Sequence, residues 1–175
     1  MSIANIDHIT GSRWYLARHH TSGKNREMLF HWLGEMQVIP WTPLTVRQVR
    51  RTDAVCSFRR KISAVFPGYF FLRTDLSTRA ASDIRRHSAF IDFVQYGSTI
   101  RPVCDRIVDG LMKVYPDPAL NPGAREALDA ASRVWLTRAQ YRHLLRLEEN
   151  PLPASRISML LDLVFNAGNH GFEEQ

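Results

Sequence analysis

Hydrophobic and polar positions in this chain fall into short blocks, most with the period of a strand or of a helix. Arg13-Trp14-Tyr15-Leu16-Ala17-Arg18 is a compact apolar run rich in aromatics, the pattern of a buried strand. Beyond Gly23, Met28, Leu29, Trp32, Leu33 and Met36 recur at i, i+1, i+4, i+5 and i+8, which predicts an amphipathic helix from about Lys24 to Met36. Val38 to Val49 alternates weakly and contains Pro40 and Pro43. Proline cannot donate to a ladder, so an irregular or edge strand is expected there. Arg50 to Lys61 is polar and strongly basic and fits the tip of a long hairpin. Phe66-Pro67-Gly68-Tyr69-Phe70-Phe71-Leu72 has the composition of a strong strand. Ser77 to Arg86 suits a short helix with Ala80, Ala81 and Ile84 inward, and Phe90 to Tyr96 a further strand stopped by Gly97. Within Pro102 to Tyr115, residues Ile107, Val108, Leu111, Met112 and Tyr115 lie at helical spacing. The order β-α-β-β-α-β with a trailing helix is that of a ferredoxin-like α+β sandwich over residues 13–115.

The remainder is different in kind. Residues 1–12 carry no structural periodicity and are expected to form a disordered extension. Residues 116–123, dense in proline and ending on Gly123, read as a linker. From 124 to about 170 no glycine occurs before Gly168. Thr137-Arg138-Ala139-Gln140 matches a capping box, with Tyr141, Leu144 and Leu145 on one face after it. Asn150-Pro151-Leu152-Pro153 breaks the pattern. Ser155 to Asn166 resumes it with Ile157, Leu160, Leu161, Val164 and Phe165, and Gly168 is placed to cap. These signals favour a helical hairpin, although Ile157 to Phe165 is β-branched and apolar enough to form a strand.

Composition narrows the class. At 175 residues and 45% hydrophobic, the chain can bury a core without disulfide or metal support. Cys56 and Cys104 stand far apart, as in a reducing, cytoplasmic setting, and no apolar run is long enough to cross a membrane. The net charge of +6 hides an asymmetry. Up to Pro116 there are 17 basic and 9 acidic residues, a net of +8, whereas the rest carries 6 and 8, a net of −2. Twenty of the basic residues are arginine. A basic first part points to a polyanion such as nucleic acid, and a mildly acidic tail is suited to fold back on it.

Catalytic patterns are missing. His19-His20 lacks cysteine or carboxylate partners at ligand spacing, and Asp105 and Asp109 read as the solvated side of a helix. No phosphate-binding glycine loop or nucleophile elbow is present, so neither enzyme activity nor a cofactor is expected.

Three segments carry a family resemblance: Trp14-Tyr15-Leu16, then Phe66-Pro67-Gly68-Tyr69-Phe70-Phe71, then Phe93-Val94-Gln95-Tyr96-Gly97. Together they resemble the N-terminal (NGN) domain of the NusG family of transcription elongation factors, over roughly Arg13 to Tyr115. The tail, from Ser132 to His170, is most similar to that of the RfaH-like branch, the operon-specific paralogues that include plasmid-borne members. The resemblance implies an elongation and antitermination factor that binds the β′ clamp helices of RNA polymerase through an apolar patch. Tyr69, Phe71 and Tyr96 would form it; Tyr69 and Phe71 share a face by strand alternation. It also implies contact with the non-template DNA strand. Candidates for that contact are His20, Lys24 and Arg26 near the first helix and Arg85, Arg86 and His87 after the second. Ala80-Ala81-Ser82 stand where such members carry a His-Thr-Thr contact to the polymerase gate loop.

In the family the C-terminal domain is a KOW β-barrel whose turns need glycine. Ala139 and His143 occupy two of those positions, which favours helix. In RfaH-like members a helical hairpin masks the polymerase site and can refold to the barrel and recruit the ribosome. Leu144, Leu145, Leu161 and Phe165 are the expected masking side chains. The resemblance thus implies a monomer inhibited by its own tail. The competing reading is a free-standing ferredoxin-like nucleic-acid-binding module whose helical tail dimerises it.

Overall fold

A computed structural model describes residues 11–52, 57–115, 142, 146 and 152–166. Its centre is a four-stranded antiparallel sheet in the order β2-β5-β1-β6. The strands are β1 (Arg13–His19), β2 (Ile39–Trp41), β5 (Tyr69–Thr74) and β6 (Phe90–Phe93). β1 pairs with β5 from Arg13↔Thr74 to Arg18↔Tyr69, so the two aromatic strands lie at the middle of the sheet. β2 is the short edge strand anticipated from Pro40. Helix α1 (Asn25–Glu35) connects β1 to β2, and the one-turn α2 (Ala81–Ile84) lies between β5 and β6. This is the split βαβ arrangement expected for a ferredoxin-like sandwich.

Strand alternation sorts the core into two layers. Tyr15, Ala17, Phe70, Leu72, Phe90 and Phe93 point to one face, where Leu29 and Leu33 of α1 and Ile84 of α2 cover them. Met28 of the expected stripe is instead 60% exposed, and Phe30 packs its ring 5.3 Å from Phe70. Trp14, Leu16 and Phe71 point to the opposite face, beneath helix α3 (Asp105–Val114) through Ile107, Val108 and Leu111. The same layer includes Leu160 and Leu163 of helix α4 (Pro153–Asn166). Both faces of the sheet are therefore buried.

Three local departures have simple causes. The segment starting at Phe66 enters the sheet only at Tyr69, because Pro67 has no N–H and Gly68 sits at φ +81°. The turn is closed by the Tyr69 N–H donating to the Phe66 carbonyl at 3.1 Å. A Cβ on Gly68 would lie 3.3 Å from the Thr21 methyl. The strand expected from Phe90 to Tyr96 divides at Val94, whose N–H turns to the Leu16 carbonyl. Gln95–Tyr96 (β7) then pairs with Thr99–Ile100 (β8) around Gly97. Finally, the hairpin inferred from the basic stretch is longer than its tip: β3 (Leu44–Arg50) and β4 (Phe58–Ala64) pair over seven positions as a separate two-stranded ribbon.

Helix rather than strand is what Ile157 to Phe165 adopts, as part of α4. Arg142 and Arg146 are exposed helical residues. Leu144, Leu145, the Thr137 capping box, the linker and the Gly168 cap lie outside the described residues, as does the extension up to residue 10. Gly11 is described, and its N–H donates to the Asp75 carboxylate at 3.3 Å.

Candidate functional site

The face of the sheet beneath α4 gathers the aromatic residues singled out from sequence. Tyr69 is half-buried, with the Arg18 guanidinium 5.7 Å from its ring centre on the adjacent strand. Phe71 is fully buried against Trp41, 5.8 Å between ring centres. Tyr96, on β7, is 52% exposed and held between two neighbours. Arg101 lies 4.5 Å over its ring and Phe165 of α4 sits 5.5 Å away. Cation–π contact of this kind holds a ring in place with modest energy, about 0.5–1 kcal/mol at exposed sites.

Helix α4 meets this face through Leu160 and Leu163, with Ile157, Met159, Leu161 and Val164 alongside, and Arg156, one turn before Leu160, is buried too. Leu161, one of the four expected masking side chains, is only partly buried; Leu160 and Leu163 are buried in its place, and Phe165 reaches Tyr96. Leu163 escaped notice because it follows polar Asp162 and interrupts the simple i+3/i+4 count from Ile157. A small cavity of about 90 Å³ remains under the end of α4, between Leu16, Val94, Val103 and Val164.

A second site lies beside α2. Trp32 and Met36 of α1 face Arg79, Asp83, Arg86, His87 and Ser88 across an open cleft of about 800 Å³. The Trp32 and His87 rings are 5.1 Å apart at 47°. The backbone N–H of Ala89 donates to His87 Nδ1, so a neutral His87 carries its proton on Nε2. Two of the six residues expected to meet DNA, Arg86 and His87, line this cleft. His20 is joined to the same loop through its N–H, which donates to the Ala89 carbonyl at 2.9 Å. Lys24 and Arg26 are not among the cleft residues; Lys24 precedes Trp32 by about 12 Å of helix. Arg26 pairs with Glu27 at 3.1 Å. Arg85 gives Nε and Nη2 to Asp92 Oδ1 and rests on the Phe93 ring, so its charge is largely engaged. Trp32 and Arg79 were missed from sequence because Trp32 fits the core stripe of α1 and Arg79 precedes the short helix.

His19, next to exposed His20, is buried beside Phe70. Burial holds its imidazolium pKa below the usual value, and its Nδ1–H donates to the His20 carbonyl. Asp75 is held below the ordinary carboxylate range by hydrogen bonds from the Ser77 hydroxyl and N–H. Cys104 is exposed and unbonded to sulfur. Among the described residues no cluster of three metal-ligating side chains occurs, and no helix is long and apolar enough to cross a membrane.

The chain is thus a ferredoxin-like α+β domain with an aromatic sheet face under α4 and a cleft of rings and guanidinium groups beside α2. The family model described as transcription termination factor nusG matches residues 12–112. The chain belongs to the NusG family, whose members are transcription factors rather than enzymes. Among solved structures it is similar to one titled "Domain interaction in Thermotoga maritima NusG", at 20% identity and a TM-score of 0.38. That similarity covers 59% of this chain and 56% of the other, so the chain spans little more than half of that protein. No curated protein matches the sequence.

Proposed function

We propose that this chain is an operon-specific transcription elongation and antitermination factor of the RfaH-like type. Its docking face for the β′ clamp helices of RNA polymerase is the apolar layer around Tyr69 and Phe71, extended by Tyr96. The observation that carries this reading is the cover. An aromatic sheet face is closed by α4, which lies outside the matched 12–112 segment and contributes Leu160, Leu163 and Phe165. Exposed aromatic patches serve as protein-docking sites, and a detachable helix over one makes docking conditional. α4 spends its apolar side within the chain, which supports a monomer over the module with a dimerising tail.

The cleft of Trp32, Arg79, Arg86 and His87 suits a base of the non-template strand. The rings offer stacking, the guanidinium groups meet phosphate, and the Asp83 carboxylate accepts from an exocyclic amine. Ribosome recruitment by a refolded tail belongs to the same reading.

Capture of RNA polymerase by the immobilised chain tests it. Intact protein is expected to retain little polymerase, Leu160→Asp to retain several times more, and the double variant with Tyr69→Ala to lose the gain. Equal retention by all three overturns the masked-face reading.

A further inference from the structure

The ribbon of β3 and β4 has no part in the face or the cleft described above. Every residue from Phe58 to Ile62 is exposed, so neither side of β4 packs on the domain over that length. An isolated two-stranded hairpin is marginal in water, and a long one exposed on both sides is suited to a partner that encloses it. Neither strand contains an acidic residue, whereas Arg47, Arg50, Arg59, Arg60 and Lys61 belong to them.

Register divides these residues into two unlike sides. Val46↔Ile62, Gln48↔Arg60 and Arg50↔Phe58 share one side, and Val49↔Arg59 and Lys61 share the other. The first side alternates apolar and hydrogen-bonding groups along β4, with Phe58 63% and Ile62 54% exposed around Arg60. These are the residue types that read base edges in the major groove: arginine pairs with guanine, glutamine with adenine, and apolar groups meet the thymine methyl. Side chains on one side of a strand repeat every 6.6 Å or so, close to about 6.8 Å for two base pairs. A two-stranded ribbon fits a groove of about 12 Å, whereas the deep, narrow major groove of A-form RNA excludes it.

We propose that the β3–β4 ribbon lies in the major groove of a DNA duplex and reads its sequence through Gln48, Arg50, Phe58, Arg60 and Ile62. Arg59 and Lys61, on the other side, reach round the strand edge to the flanking phosphates. This function needs no polymerase and is separate from the single-strand contact assigned to the cleft.

The test uses the full chain and a pool of randomised DNA duplexes, with affinities then measured by fluorescence anisotropy. A short preferred sequence is expected to emerge, bound about tenfold or more above random duplex. Arg60→Ala and Gln48→Ala, both at exposed positions, are expected to bring that preference to within about twofold. Arg59→Ala with Lys61→Ala is expected to weaken all duplexes alike and lower the salt dependence. Arg86→Ala, in the cleft, is expected to leave the duplex preference intact, so failure of the single-strand reading leaves a distinct signature. Absence of any preferred duplex overturns the proposal. So does an unchanged preference in both Arg60→Ala and Gln48→Ala, or equal affinity for single-stranded DNA or RNA duplex of the selected sequence.

Discussion

At the scale of single residues, two adjacent histidines with the same side chain have opposite fates. His20 lies in solvent, whereas alternation along β1 carries His19 to the side of Tyr15 and Ala17, against Phe70. Burial favours neutral imidazole, so the folded-state pKa lies below the unfolded value near 6.5. The unfolded chain then binds the proton more readily. Stability from this group is present above about pH 6.5 and declines as pH falls towards the depressed folded value. Thermal melts between about pH 7 and pH 5 are expected to show a steeper loss of Tm in the native chain than in His19→Phe. Parallel slopes would exclude His19 as the cause. The alternation needed to place His19 inside was readable from Tyr15 and Ala17. What could not be read was the close packing of Phe70 that makes the site apolar.

At the scale of elements, local period predicted the helices and strands well where one face is clearly apolar. It predicted less well where two tendencies compete. α1 is legible from Leu29 and Leu33, yet Met28, which fits the same stripe, faces solvent and Phe30 takes its place against Phe70. α4 was ambiguous, since Ile157 and Val164 favour strand. The tertiary surface decides: a helix sets Leu160 and Leu163 along one line, and the Phe71 side of the sheet receives them. Leu160 is fully buried, so Leu160→Ala is expected to cost about 2–5 kcal/mol of docking and packing. Amide exchange of α4 should accelerate accordingly while that of β1 and β5 changes little. Uniform acceleration across the chain would mean that α4 opens only with global unfolding. The cleft beside α2 was half legible. Arg86 and His87 announce themselves as a basic pair, but Trp32 reaches them only because α1 and α2 cover the same side of the sheet.

At the scale of the whole molecule, the notable property is a sheet closed on both sides by helices of different standing. α1 and α2 are threaded between the strands they cover, so their removal would break the chain path through the sheet. α4 follows the whole domain and has no strand after it among the described residues. It can lift away without undoing a ladder. Removing residues 117–175 is therefore expected to leave the β1–β5 pairing intact while exposing the layer around Leu16 and Phe71. Binding of a hydrophobic dye such as ANS should rise several-fold over the full chain, with a retained β-sheet signal by circular dichroism. Unchanged dye binding would show that α4 is not the principal cover. The first part of the sequence is net positive, whereas α4 itself carries one Arg and one Asp, so it covers the domain through apolar side chains rather than through charge.

The position of α4 after the domain also sets an order in time. A ribosome completes Val114, and with it every strand of the sheet, before it begins α4 at Pro153. At roughly 5–20 residues per second the intervening stretch takes on the order of seconds to make. For that interval each newborn copy has α3 over the aromatic layer but still lacks α4, so the part of the layer that packs on Leu160 and Leu163 is bare. The packing of α4 is therefore an event in the maturation of each molecule rather than its initial condition.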